Sequence, residues 1–212
     1  MQFYDAYKKA LLVIAKKPIV LWGLSLLSGL MTILATLITT PIFILGTIAS
    51  YLITCGMAKV YIDGLYEKEV NADQIFAGFN GKFLRIAGGM AWRDLWILIW
   101  CLVPIAGPII AIVKSYSYRF VPYILITQPE VSATQALRLS MEKTKGRKGQ
   151  MFLADLCFFV GIWIVGFILG LFMAIPIIGV LFTLIFSIFV IALALFSSIF
   201  VGLYQAAFYI ED

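Results

Sequence analysis

Five ionisable side chains, Arg93, Asp94, Lys114, Arg119 and Asp155, stand inside stretches that are otherwise almost wholly apolar. A charge at the centre of a bilayer costs about 2.5–3.5 kcal/mol on insertion scales, so such residues pair within a helix bundle or line a polar cavity. Two chemistries fit them. Asp94 and Asp155 can serve Arg93, Lys114 and Arg119 as an internal ion-pair network. Alternatively, the group forms a polar site whose surplus cation favours an anionic headgroup or a carboxylate. Tyr116 and Tyr118 add hydroxyls beside Lys114 and Arg119, and these seven residues form the candidate ligand-binding cluster. Tyr123 reads instead as an interfacial anchor. A second basic group, Lys143, Lys145, Arg147 and Lys148 in "KTKGRKG", is a topology determinant and a candidate contact for anionic lipid headgroups.

Catalytic chemistry finds no footing. The chain has no histidine, which removes the commonest general base and metal ligand. No phosphate loop and no metal-ligand spacing occurs, and Ser115 beside Lys114 is no dyad because adjacent helical residues diverge. Cys55, Cys101 and Cys157 are scattered through apolar runs, where free cysteine acts as a small hydrophobe. No catalytic residue, metal or cofactor is expected, and the chain is expected not to be an enzyme.

The elements that carry these residues follow from composition. Of 212 residues, 63% are hydrophobic and 13% charged, against about 25% charged in a soluble domain. Too little polar surface remains to coat a globule in water, so the chain is an integral membrane protein of the all-α class. Its net charge of +5 gathers in three segments flanking apolar runs, a pattern that sets topology rather than nucleic-acid binding.

A span needs about 20 apolar residues. Six are expected, at 19–37, 42–62, 83–103, 108–127, 151–173 and 178–204. They pair as three hairpins through turns at 39–41, 104–108 ("PIAGP") and 174–179 ("AIPIIG"), each holding proline and none a charge. The expected layout is one transmembrane domain: an interfacial helix at 1–17, hairpins at 18–62, 83–127 and 151–209, and cytoplasmic loops at 63–82 and 128–150. A rival parse takes 95–113 as one span, which moves "PIAGP" to mid-membrane. The positive-inside rule puts both termini and both loops in the cytoplasm. No cleaved signal peptide is expected, the first apolar run serving as an uncleaved anchor.

The segments preceding the hairpins resemble one another. Each opens on a candidate N-cap, Asp5, Asn71 or Ser132, and then offers a short amphipathic helix and a basic patch. In the first, Phe3, Ala6, Tyr7, Ala10, Leu11 and Ile14 form an apolar stripe suited to the membrane interface. A threefold repeat of hairpin and amphipathic foot is expected. Gly166 and Gly170 add a G-x-x-x-G spacing that permits close helix contact.

The stretch "VPIAGPIIAIVKSYSYRFVPYILITQPEVSATQALRLS" carries a resemblance. With Lys145-Gly146, Phe152, Asp155-Leu156 and Ala207-Phe208-Tyr209 behind it, it resembles the bacterial multi-pass family catalogued as domain of unknown function nine-seven-five. That family shows the proline-glycine turn, K-x-Y-S-Y, a P-Y-I-L segment and a serine-framed S-A-x-x-A stretch. Gly149 and Gln150 depart from it, standing where its members tend to carry tryptophan and lysine, and the last hairpin is longer. The chain is more remotely similar to the membrane domain of some bacterial glycerophosphodiester phosphodiesterases. The resemblance implies a bacterial cytoplasmic membrane location and no particular reaction.

The expected function is non-enzymatic handling or transport of an amphipathic or anionic ligand (lipid, peptide or small molecule), or protection against a membrane-active peptide. The alternative is a structural or accessory subunit docking on another membrane protein. Expected partners are anionic inner-leaflet lipids and a membrane-protein partner or second copy, with no nucleic acid.

Overall fold

Residues 2–39, 43–81, 83–173 and 179–211 are described by a computed structural model, and all regular structure among them is helical. The α-helices are α1 (Phe3–Lys16), α2 (Pro18–Thr39), α3 (Phe43–Leu65), α4 (Phe83–Cys101), α5 (Gly107–Ser117), α6 (Val121–Thr127), α7 (Ala133–Lys143), α8 (Lys148–Met173) and α9 (Gly179–Ile210). A 3-10 helix, Ala72–Phe79, lies between α3 and α4.

Among the described residues four helical stretches are long and apolar enough to cross a membrane: Leu45–Leu65, Gly107–Thr127, Lys148–Leu171 and Phe186–Ile210. A fifth arises if α1 and the first part of α2, which meet at 98°, count as one bent unit. This corrects the expected six spans. The helix α4 is long enough, but Arg85, Arg93 and Asp94 load its 19 residues with charge, while α2, 22 residues without a charge, is counted only in its bent pairing with α1. The expected pairs do pack together, α2 on α3, α4 on α5 and α8 on α9. The turn at 104–108 connects α4 to α5 as expected. The turns at 39–41 and 174–179 fall largely outside the described residues.

The span at 108–127, expected to be continuous, is broken at Tyr118–Phe120 into α5 and α6. Pro122 has no N–H to return to the turn before it, and in a continuous helix its ring would clash with the carbonyl of Tyr118, four residues back. Backbone groups freed inside a membrane need partners, and α7 supplies them. Ser140 Oγ donates to the Ser117 carbonyl at 2.8 Å and accepts from the Phe120 amide at 3.2 Å. Arg119 sits in this break.

The amphipathic feet differ more than a repeat requires. Ser132 and Asn71 both hold the N-cap positions expected, but only Ser132 caps with its side chain, in a box with Gln135. At α1 the cap is Gln2, with Asp5 in the first turn, and Asn71 makes no capping bond to a helix that is 3-10 rather than α. The buried face of α1 is Ala6, Ala10 and Val13, with Leu11 half-exposed instead of inside. That face packs on α9 and α8, so α1 lies across the helix ends. The 3-10 helix crosses α3 so closely that a Cβ on Gly56 would meet the Ile75 carbonyl oxygen at 1.9 Å. Backbone against backbone leaves nothing to rotate away, so only glycine fits there.

The core sits toward the ends of the helices that carry the feet. Its largest fully buried side chains include Phe120, Ile124, Met151, Leu203, Tyr204 and Phe208. Over half of the α3 window is buried but only 11% of the α8 window. Such exposed leucine, phenylalanine and isoleucine suits a surface solvated by lipid tails rather than water. A Cβ on Gly166 or Gly170 would meet nothing within 4 Å, so the G-x-x-x-G spacing serves no contact among the described residues.

Candidate functional site

The intramembrane charges do not form one network; they separate into two. In the first, Arg119 Nη2 pairs with Asp155 Oδ2 at 2.7 Å. The Tyr116 hydroxyl donates to the same oxygen at 2.7 Å, and the Tyr204 hydroxyl donates to Oδ1. Both carboxylate oxygens are thus satisfied, and Asp155 is buried. The Arg119 guanidinium also lies 4.3 Å from the Tyr116 ring centroid, a cation–π contact. Its Nη1 is buried without a hydrogen-bond partner. Four elements meet here: α5, the break after it, α8 and α9. Tyr118, expected in the cluster, is buried in the hydrophobic core.

In the second, Asp94 Oδ1 pairs with its own neighbour Arg93, at 2.7 Å to Nη2 and 2.8 Å to Nε. Tyr51 of α3 donates to Asp94 Oδ2 at 2.5 Å. The expected meeting of Asp94 with Lys114 and Arg119 across the α4–α5 hairpin does not occur. Lys114 instead places its ammonium 4.7 Å from the centroid of the Trp100 ring. Trp92, Trp96 and Trp100 recur every fourth residue and line one face of α4, with Trp92 and Trp96 in edge contact at 5.8 Å. The aromatic face substitutes for the missing carboxylate. Tyr51 and the tryptophan row were not singled out from sequence, although the i, i+4, i+8 spacing was visible.

The basic group at 143–148 is largely committed to helix ends. Arg147 Nη1 donates to the carbonyls of Phe208, at 3.3 Å, and of Glu211, capping the C-terminus of α9. Lys143 lies 5.1 Å from the Tyr209 ring centroid, and burial, with Arg147 adding repulsion, lowers its ammonium below the usual lysine range. Lys145 is exposed, and Lys148 opens α8 half-buried. Arg85 plays the same capping part for α6, donating to Leu125 at 2.6 Å and to Val131 at 2.7 Å.

A polar but uncharged space lies elsewhere. A cavity of about 430 Å³, open on one side, lies between α2, α3, α6, α8 and α9. Ser28, Thr32, Thr54, Tyr61, Tyr123, Ser197, Ser198 and Gln205 supply its polar wall, and Ala58, Met57, Phe158 and Phe159 its apolar wall. No charged side chain lines it. Thr54 stands eleven residues before the end of α3 and Ser197 thirteen before the end of α9, roughly 16–20 Å in at 1.5 Å per residue. Gly202 shapes the floor: a Cβ there would meet the Tyr61 ring at 2.1 Å. Tyr123, expected as an interfacial anchor, is instead buried in this wall. The serines and threonines escaped sequence reading because such residues inside spans are common and their convergence depends on helix rotation.

No family model matches the chain, and neither the curated proteins nor the solved structures hold a match.

Proposed function

We propose that this chain is a non-enzymatic integral membrane protein that takes up an amphipathic ligand from the bilayer. The observation that carries the reading is the uncharged, hydroxyl-lined cavity between five helices. Ligand sites are concave, mostly apolar and marked by a few convergent polar groups. In membrane proteins a broken helix often lines such a site, and Pro122 and Tyr123 of α6, just past the break, are in its wall. The paired carboxylates argue against an anionic guest at the charges themselves, because Asp155 and Asp94 already hold Arg119 and Arg93. The competing reading, an accessory subunit, rests on the exposed flank of α8.

The experiment is a cavity-filling substitution. Ala58 is buried in the cavity wall, and Ala58→Phe is expected to displace a co-purifying amphiphile seen by native mass spectrometry of the wild type. Folding is checked by elution and melting temperature. A wild type that carries no amphiphile out of the bilayer would sink the reading.

The orientation belongs to the same proposal. The feet and basic segments lie on the cytoplasmic face of a bacterial cytoplasmic membrane, with both termini there and the 104–108 turn opposite. This requires α2 and α4 to cross beside their partners α3 and α5, although neither is among the four stretches that are apolar enough alone. The orientation rests on the lysine and arginine bias and on the motif resemblance around 103–140. Ile105 is fully exposed at that turn. Ile105→Cys, in a chain lacking Cys55, Cys101 and Cys157, is expected to label with an impermeant maleimide from outside intact cells. Labelling only after lysis would overturn the orientation.

A further inference from the structure

We infer that the cavity selects an uncharged, polyhydroxylic head on its amphiphile. The inference rests on the ligand-uptake reading above and adds the class of headgroup. A hydroxyl has one proton and two acceptor lone pairs. Wall hydroxyls have already spent the proton on backbone carbonyls, among them Thr54 on Ser50 at 2.8 Å, Ser197 on Ala194 at 2.8 Å, Tyr61 on Ser198 at 3.2 Å and Tyr123 on Gly202 at 3.0 Å. What they still offer is acceptance. The Gln205 amide, which also lines the cavity, brings donors as well as an acceptor. The wall therefore carries an excess of acceptors beside a smaller number of donors.

Each class of head meets this wall differently. A phosphate or carboxylate head would bring only acceptors and a charge to a wall with no lysine or arginine in it, at the cost of desolvating that charge. An ammonium head would find acceptors but no carboxylate. A polyol matches, since each of its hydroxyls both donates and accepts. Thr54, Phe159 and Ser198 of the wall are exposed, so the cavity opens on the flank of the bundle, where a lipid tail can stay in the bilayer while its head enters.

The test is competitive retention. The wild-type protein is placed in nanodiscs doped equally with a monoacylglycerol, a phosphatidate and a long-chain alkylammonium, then released and weighed by native mass spectrometry. Monoacylglycerol is expected to be retained about tenfold over either competitor, and a Thr54→Val, Ser197→Ala double variant to lose most of that preference, as two lost hydrogen bonds require. Equal or better retention of phosphatidate or alkylammonium overturns the headgroup class while leaving amphiphile uptake standing. Retention of none of the three, with no other bilayer lipid carried out, overturns uptake itself. A double variant that keeps the full preference places the selectivity outside the hydroxyl wall and overturns the inference.

Discussion

Replacing Asp155 by asparagine is expected to destabilise the protein by roughly 3–5 kcal/mol, the cost of breaking a buried ion pair by removing one partner. Asp155 is the hub of its cluster: it receives Arg119, Tyr116 and Tyr204 and ties α5, α8 and α9 together. An asparagine keeps the shape but leaves the Arg119 guanidinium, only 21% exposed, without a counter-charge. Arg119→Met is expected to cost less, because the carboxylate left behind keeps both tyrosine hydroxyls as donors. The double change Arg119→Met, Asp155→Asn is expected to recover about 2 kcal/mol or more relative to Asp155→Asn alone, since neither charge then stands uncompensated. Unfolding in mixed micelles of rising dodecyl sulfate content measures all three. Strictly additive losses would show that the two side chains do not act as a pair.

The sequence made the membrane class legible because composition alone excludes a water-coated globule, and the capping box at Ser132 because its signal is local. That α2 packs on α3, α4 on α5 and α8 on α9 was legible too, although the layout of six spans in three hairpins was not borne out. The count of spans was not legible, because three charges make α4 fail on its own and leave its place to be decided by partners from other elements. Nor was the break at Tyr118–Phe120: Pro122 announces it only if Ser140, some twenty residues later, comes back to satisfy the backbone. The same limit explains the charges. Their shared apolar setting grouped Asp94 with Lys114 and Arg119, but a helix presents each side chain at a fixed angle. That rotation, set by packing, gives Asp94 to Tyr51 and Lys114 to a tryptophan face. The cavity depends on the rotation of five helices at once, which no local pattern encodes.

The Arg93–Asp94 pair lets that explanation be tested where the cost of error is high. Asp94 is seven residues from the end of α4, roughly 10 Å from the turn at 104–108. Asp94→Leu is expected to cost about 2–3 kcal/mol, toward the lower end of the penalty for an unpaired intramembrane charge. It falls below the Asp155 loss for a physical reason: the Asp94 side chain is 39% exposed, against 8% for Asp155. The two arginines themselves are equally exposed, at 22% and 21%, so the difference rests on the carboxylate each loses and on the more open position Asp94 holds. The double variant Arg93→Leu, Asp94→Leu removes both charges from α4 and leaves only Arg85 near its start. It is expected to insert and accumulate at least as well as the wild type, with Tyr51 alone losing its acceptor. Membrane-integrated yield and micellar unfolding of the single and double variants decide the matter. If the double variant is worse than Asp94→Leu, the pair does more than neutralise itself, and the separation of the charges from ligand handling fails with it.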